Sequence, residues 1–242
     1  NPTPGHNLTS AMTGTLILWL GWVGFNPGST MAVAGDGGAM AAHVCLTTNS
    51  AAVTGTLAAT FISWVLMGKP DLGMTLNGCL AGLVAITAPC AFVSVHSALL
   101  IGAISGGIVV GAVLLMDKLQ LDDPVGAVPV HLFNGVFGTL AVGLWGDKAV
   151  NSALPNSGLF AGGGSAQLMA QLQGVVMVGV YVFVVALVVW YAIKMVIGIR
   201  VSPEEELLGL DIGEHGNIAY PDFVTRKFSP SIGAIGGRPR EN

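Results

Sequence analysis

Long stretches of the chain contain no charged side chain, and Asp, Glu, Lys and Arg fall between these stretches or near the C-terminus. The charge-free stretches are residues 1–35, 37–68, 72–116, 124–146 and 149–193. Each is long enough to cross a bilayer, which requires about 20 mostly apolar residues in a helix. Strands of a membrane barrel run to only about 10 residues of alternating polarity. The pattern therefore predicts membrane-spanning helices.

Glycine and proline divide the apolar stretches into six predicted helices within a membrane domain of residues 1–199. We expect these helices at about 8–31, 40–67, 74–93, 96–116, 124–146 and 165–198. The chain contains 35 glycines, and small residues favour closely packed membrane helices. The predicted fold class is all-α, a polytopic membrane helix bundle.

The composition agrees with a membrane protein and disfavours other classes. Apolar residues make up 52% of the 242 residues and charged residues 9%, against about 25% charged in soluble domains. A net charge of -4 without a basic stripe disfavours nucleic-acid binding, and three cysteines within apolar stretches disfavour a disulfide scaffold. The spacing of His and Cys suggests no metal site, and no nucleophile is paired with a base. We expect no metal, no cofactor and no enzyme activity.

Basic residues at the span ends predict the orientation of the chain. Lys69, Lys118, Lys194 and Arg200 fall on the side that holds both termini, and Lys148 stands alone on the other side. Cytoplasmic loops carry the excess of Lys and Arg. We therefore expect a multi-pass protein of the plasma membrane, a bacterial inner membrane, with a cytoplasmic C-terminus. Residues 1–7 lack the positive start of a signal peptide.

Residues 200–242 are too polar to enter lipid, so we expect them to form a cytoplasmic tail. The part from 200 to 223 mixes apolar and acidic residues, which suits ordering against the membrane domain or a partner. The part from 224 to 242 is rich in Gly, Pro and Ser, a composition typical of flexible segments.

His131 is the strongest candidate for a functional residue inside the membrane. Asp123 followed by Pro124 marks a helix start, which places His131 about 10 Å into a hydrocarbon core of about 30 Å. Polar groups are costly there, and a neutral imidazole can pass a proton between its nitrogens. Pro129 is expected to bend the helix beside the ring. The alternative is a core histidine bonded to a backbone carbonyl or to Asn134.

A second candidate site lies near the outer end of the first predicted helix. Trp22, Phe25 and Ser29 recur at three- and four-residue spacing, so they share one face. Aromatic faces attract a cation and a hydroxyl accepts its N–H, so this face fits a vestibule that recruits a cation. An aromatic belt at the membrane interface explains the rings equally well. Thr87, next to Pro89, either lines a path or bonds back to its own helix.

Four stretches of the chain carry motifs in a consistent order and spacing. They are 20–29 (LGWVGFNPGS), 78–90 (GCLAGLVAITAPC), 122–138 (DDPVGAVPVHLFNGVFG) and the tail residues Gly209, Leu210, Asp211, His215, Gly216, Ala219 and Tyr220. Together they resemble the ammonium transporter family, the Amt/MEP/Rh proteins. The resemblance covers residues 6–222 and the second half of that family's protomer, the sixth to eleventh helices plus the tail. It implies the second of two inverted repeats and a homotrimer with one pore in each protomer.

The resemblance also implies a role for each matched residue. Phe25 resembles the inner of two gate phenylalanines, and Ser29 resembles the hydroxyl that holds ammonium at the outer vestibule. His131 resembles the second of two hydrogen-bonded pore histidines, and Trp22 and Thr87 match pore-adjacent positions. The implied function is transport of ammonium or ammonia. Ammonium is recruited outside, loses a proton because the dry pore disfavours charge, and crosses as ammonia past the histidines.

The tail residues Gly209, Asp211, His215 and Tyr220 resemble the segment through which PII-type nitrogen signalling proteins control the pore. The first pore histidine and the outer gate phenylalanine of the family belong to its first half, which this chain lacks. We therefore expect a fragment that needs the N-terminal half of the protomer to complete a pore.

Two other functions compete with transport. An ammonium sensor would use the same membrane domain and signal through the tail, although no catalytic domain follows the tail in this sequence. An aquaporin-like channel would require two Asn-Pro-Ala half-helices, and only Asn26-Pro27-Gly28 occurs.

Overall fold

The structure, a computed structural model, describes residues 7–221 except the side chain of Asp36. Its α-helices are α1 (Leu8–Gly28), α2 (Asp36–Met67), α3 (Leu72–Thr87), α4 (Val95–Leu119), α5 (Asn134–Trp145), α6 (Ala166–Val196), α7 (Pro203–Leu208) and α8 (Leu210–Gly213). A π-helix, Val128–Phe133, runs directly into α5, and a short 3-10 helix covers Leu159–Ala161. The predictions for residues 222–242 lie outside the described residues. The chain divides into two compact units, Asn1–Tyr181 and Val182–Asn242.

Five of the described segments are long and apolar enough to cross a membrane, namely α1, α2, α4, α6 and the combined segment Val128–Trp145. Helix α3 is apolar but has only 16 residues. It ends at Thr87 because Pro89, two residues on, has no backbone N–H to continue the helical bonding. The predicted fold class, an all-helical polytopic membrane bundle, is confirmed.

Helices α2, α3 and α4 form the centre of the first unit and approach each other closely. A Cβ added to Gly55 of α2 would lie 2.5 Å from the carbonyl oxygen of Gly78 in α3. A Cβ added to Gly106 of α4 would lie 2.5 Å from the carbonyl oxygen of Gly55. These glycines let the backbones touch, which is how membrane helices gain packing energy without a hydrophobic drive.

The sides of α1 and α6 are largely uncovered within the described residues. Only 6% of the apolar 18-residue stretch of α1 is buried, and 0% of the corresponding stretch of α6 is buried. Phe25 of α1 is 63% exposed, and Tyr181 of α6 is 69% exposed. Water does not tolerate apolar surfaces of this extent, so lipid or other protein must cover them.

Candidate functional site

His131 lies on a widened helical turn. Residues Val128–Phe133 form a π-helix, a rare conformation that is frequently found at functional sites. The imidazole is exposed, and no residue of 7–221 forms a hydrogen bond with it. The structure therefore does not tie the ring to a backbone carbonyl or to Asn134, and the ring nitrogens are available for another group.

The segment before His131 explains where the helical turn begins. Both carboxylate oxygens of Asp123 accept hydrogen bonds, from the backbone N–H groups of Ala127 and Val128, each at 2.8 Å. Gly126 has a φ of 75°, and a Cβ there would lie 2.6 Å from the Asn77 amide nitrogen. The helical segment thus starts at Val128 rather than at residue 124, because this capped glycine turn comes first.

Pro129 follows at the start of the π-helix, within its first turn. A missing N–H costs no hydrogen bond in a first turn. Pro129 therefore marks the beginning of the helical segment beside His131, rather than a bend in the middle of a longer helix.

Trp22 and Thr87 are joined directly, although they come from different helices. The indole Nε1–H of Trp22 donates to the hydroxyl oxygen of Thr87 at 2.9 Å. That hydroxyl in turn donates to the carbonyl oxygen of Leu83 at 2.7 Å, one turn earlier in α3. Thr87 therefore bonds back to its own helix and at the same time fixes the indole of α1.

Phe25 and Ser29 lie together at the end of α1. The Ser29 hydroxyl donates to the carbonyl oxygen of Phe25 at 2.6 Å, and both side chains are exposed. A hydroxyl carries one donor and two acceptor lone pairs. Because its hydrogen is used on the backbone, the Ser29 oxygen presents acceptor capacity to whatever approaches the end of α1.

Helix α3 connects these two groups of residues. Leu80 packs against the same buried cluster as Trp22 of α1, and it also packs against the cluster that contains Val130 of the π-helix. Leu80, Val84 and Thr87 recur at helical spacing and are each half-buried. We call these three residues the α3 strip. It is mostly apolar and lies between the helix with the aromatic residues and the turn with His131.

The polar side chains that anchor α1 were not among the residues predicted for the site, although the polar run 47–50 is compatible with lining a path. The buried amide of Asn26 donates to the hydroxyl of Thr48 at 3.2 Å. The indole of Trp19 donates to the Asn49 side-chain oxygen at 2.8 Å. The available signal was the polar run 47–50 inside an apolar helix, but a sequence alone does not show which helix such a run faces.

The tail residues belong to a compact turn of the second unit. Gly209 joins α7 to α8 with a φ of 100°, a conformation that favours glycine. The carboxylate of Asp211 accepts the backbone N–H of Ala219 at 2.9 Å and so closes the turn. His215 and Tyr220 are exposed on it. These residues form a surface ordered by hydrogen bonds rather than by a core.

Helix α7 begins in a capping box. The Ser202 hydroxyl accepts the N–H of Glu205, and the Glu205 carboxylate accepts the N–H of Ser202. The backbone N–H of Ser202 holds the pKa of Glu205 below its ordinary value, and the guanidinium of Arg200, 2.7 Å from Glu206, lowers the pKa of Glu206. Both carboxylates therefore stabilise this turn at pH values above the ordinary carboxyl pKa of 4.5. Their contribution to stability is lost as the pH falls through the lowered pKa values.

A small cavity of about 160 Å³ lies apart from these residues. Ser94, Ser97, Trp145, Asp147 and Phe160 line it, with the Trp145 and Phe160 ring centroids 5.4 Å apart. Ser94 is also the N-cap of α4, so the positive end of that helix opposes the negative charge of Asp147. Within 7–221, no group of three or more His, Cys, Asp or Glu side chains could hold a metal.

Comparison with known proteins places these features in a family. The model of the Ammonium Transporter Family matches residues 1–220. The ammonium transporter Amt2 of Archaeoglobus fulgidus is 45% identical over 230 residues, which cover 91% of this chain and 47% of that protein. The ammonium transporter of Bacillus subtilis is 36% identical over 220 residues, covering 90% and 53%.

Solved structures give the same result. A structure named Sensor Amt Protein matches with a TM-score of 0.76 and 36% identity, over 86% of this chain and 49% of that one. The crystal structure of Candida albicans Mep2 matches with a TM-score of 0.74 and 30% identity, over 87% and 47%. The chain thus spans about half the length of the proteins it matches. The family consists of transporters, in agreement with the expectation that the chain is not an enzyme. The chain is a multi-pass membrane protein that belongs to the ammonium transporter family.

Proposed function

We propose that this chain forms one side of a transmembrane passage for ammonium or ammonia. The observation that carries the proposal is the exposed imidazole of His131, which has no hydrogen-bond partner within 7–221 and lies on a π-helix of a membrane-crossing segment. An unpaired imidazole facing acyl chains would be costly. A passage shared with a second half of the protein removes that cost, since a hydrogen-bonding substrate then meets the ring.

Recruitment takes place at the end of α1 in this proposal. The Ser29 oxygen has acceptor capacity left after donating to the Phe25 carbonyl, so it accepts an N–H of ammonium. The exposed ring of Phe25 and the half-buried indole of Trp22 attract the cation through their faces. Thr87 holds the indole in place through the bond at 2.9 Å.

Deprotonation follows from the apolar character of the path. The α3 strip offers Leu80 and Val84 between the recruiting residues and His131. An apolar environment disfavours the charged form, so ammonium passes a proton to water at the outer end of the passage and continues as ammonia. The free nitrogens of His131 then accept or donate a hydrogen bond, and neutral imidazole carries both functions at once.

The missing part of the passage comes from the N-terminal half of the protomer. The exposed sides of α1 and α6 supply surface for that half, for lipid and for neighbouring copies. We propose a homotrimer in the plasma membrane, a bacterial inner membrane, with the second inverted repeat formed by this chain. Residues 200–242 then lie in the cytoplasm, since Lys and Arg concentrate on that side.

The tail is proposed to regulate the passage. The turn closed by Asp211 presents His215 and Tyr220 to solvent, which suits a docking contact with a PII-type signalling protein. Removing residues 200–242 from the complete protein is expected to change the response of transport to nitrogen status while the membrane part stays assembled. Transport assays with and without the signalling protein, together with size-exclusion chromatography, check this. Loss of the trimer on deletion would show that the tail has a structural role instead.

Current across bilayers tests the proposal as a whole. The complete protein, reconstituted in planar bilayers or proteoliposomes, is expected to give a current or a pH change that depends on ammonium and saturates with its concentration. The matched control is an equal amount of protein in ammonium-free buffer with the same ionic strength. Liposomes whose ammonium permeability is unchanged by the protein would contradict transport.

An ammonium sensor remains the second candidate function, because a solved structure named Sensor Amt Protein is among the close structural matches. A sensor would bind ammonium at the α1 end and change the tail without moving substrate across the membrane. The same reconstitution separates the two functions. Saturable binding with neither a current nor a pH change favours the sensor, and a current or a pH change that follows the ammonium gradient favours the transporter.

A further inference from the structure

Asn134 is the residue at which the π-helix passes into α5. Its side chain is completely buried, although it lies in a membrane-crossing segment. The side-chain Nδ2 donates to the carbonyl oxygen of Pro129 at 2.9 Å. The backbone N–H of Asn134 donates instead to the carbonyl oxygen of His131. One residue thus bonds two carbonyls of the turn that carries the imidazole.

The two bonds replace one that the backbone does not make. In a π-helix the carbonyl of residue i accepts the N–H of residue i+5, so the Pro129 carbonyl would pair with the Asn134 N–H. That N–H turns to His131 as the wide turn tightens into α5, so it does not donate to the Pro129 carbonyl. An unsatisfied carbonyl inside a membrane is costly. The side-chain amide of Asn134 takes the place of the missing donor.

Burying the Asn134 amide costs free energy, which indicates that its hydrogen bond to the Pro129 carbonyl is important. The side-chain oxygen of Asn134 has no hydrogen-bond partner among the described residues, and burying such an atom is unfavourable. An apolar side chain would avoid this cost, but it could not donate to Pro129. Asn134 therefore leaves one buried acceptor unsatisfied and supplies a donor to the carbonyl of the wide turn.

We propose that Asn134 is a positioning residue, whose side-chain amide holds the π-helix open and thereby sets the direction of the His131 imidazole. This inference rests on the proposed function of His131. If the amide is lost, the turn is expected to relax toward a regular α-helix. One residue fewer in that turn would rotate His131 about the helix axis and away from the passage.

Transport kinetics of the complete protein test the role of Asn134. Asn134→Leu keeps a similar volume and removes the donor. We expect it to lower the maximal rate of methylammonium transport at least tenfold, with the half-saturation concentration within about twofold of wild type because the α1 end is unchanged. Thr139→Val is the control, since it removes a side-chain bond to the Gly135 carbonyl in the regular part of the same helix. It should transport at nearly the wild-type rate.

Asn134→Asp adds a readout that a merely structural role would not move, and it serves if the leucine variant does not assemble. A protonated aspartic acid can donate to the Pro129 carbonyl, whereas the carboxylate cannot. Transport by this variant should recover as the pH is lowered and fall as it is raised, in excess of any change in wild type. A pH profile parallel to wild type would overturn the inference, as would a full transport rate in Asn134→Leu. Equal losses in Asn134→Leu and Thr139→Val would overturn it too.

Comparison with His131→Ala separates this inference from the proposed function. If His131→Ala loses transport and Asn134→Leu keeps it, only the positioning role fails. If His131→Ala itself keeps full transport, the proposed function fails and the inference with it.

Discussion

Alanine at position 131 of the complete protein is expected to reduce ammonium transport by about 100-fold or more while the protein stays assembled in the membrane. The imidazole is exposed and unpartnered within 7–221, so its removal leaves no buried group unsatisfied and should not unfold the bundle. Positioned acid–base side chains contribute about 10²–10⁴-fold to proton transfer. Uptake of methylammonium into proteoliposomes measures the loss.

His96→Ala provides the matched control for that experiment. His96 is also exposed, but it lies in the first turn of α4 and outside the residues assigned to the passage. Its replacement should leave uptake within about twofold of wild type. Wild-type uptake by His131→Ala would show that the ring takes no part in transport. Equal losses in both variants would show that the loss is not specific to position 131.

Leucine at position 22 is expected to weaken recruitment rather than the passage itself. The change removes the indole face and the hydrogen bond to Thr87, and a cation over an aromatic face gains about 0.5–2 kcal/mol. The half-saturation concentration of methylammonium should therefore rise roughly two- to thirtyfold. The maximal rate should change much less. Concentration-dependent uptake measures both quantities.

Trp22→Phe divides the effect of the indole into its two parts. Phenylalanine keeps an aromatic face but cannot donate to Thr87, so its half-saturation concentration should lie between those of wild type and Trp22→Leu. Thr87→Val removes the acceptor and should resemble Trp22→Phe, because both break the same bond. A half-saturation concentration that stays at the wild-type value in Trp22→Leu would contradict a recruiting role for this residue.

The fold class and the family were both predictable from the sequence. A bilayer sets a length for every crossing helix, so charge-free stretches of sufficient length report membrane spans directly. Helix ends were less predictable because they depend on local caps. Helix α2 already begins at Asp36 and α3 ends at Thr87, against expected limits near 40 and 93. The segment with His131 begins after the turn built by Asp123 and Gly126.

Within the candidate site, contacts along one helix were accessible to sequence reasoning and contacts between helices were not. The spacing of Phe25 and Ser29 predicts a shared face, and the Ser29 hydroxyl bonds back to the backbone carbonyl of Phe25 one turn earlier. The bond between Trp22 and Thr87 joins residues far apart in the chain, which periodicity cannot reveal. The π-helix is also invisible to a periodicity of 3.6 residues, because its extra residue is absorbed within one turn. The role of Asn134 emerges only from that geometry.

The position of the His131 ring in a complete protomer tests the account most directly. A structure of the full-length protein, determined in lipid with methylammonium present, measures what borders the imidazole nitrogens. The account predicts a narrow, largely apolar passage beside the ring that continues to Phe25 and Ser29 and is closed to lipid by the other half of the protomer. An imidazole in contact with acyl chains, or enclosed in solid protein away from those two residues, would contradict it.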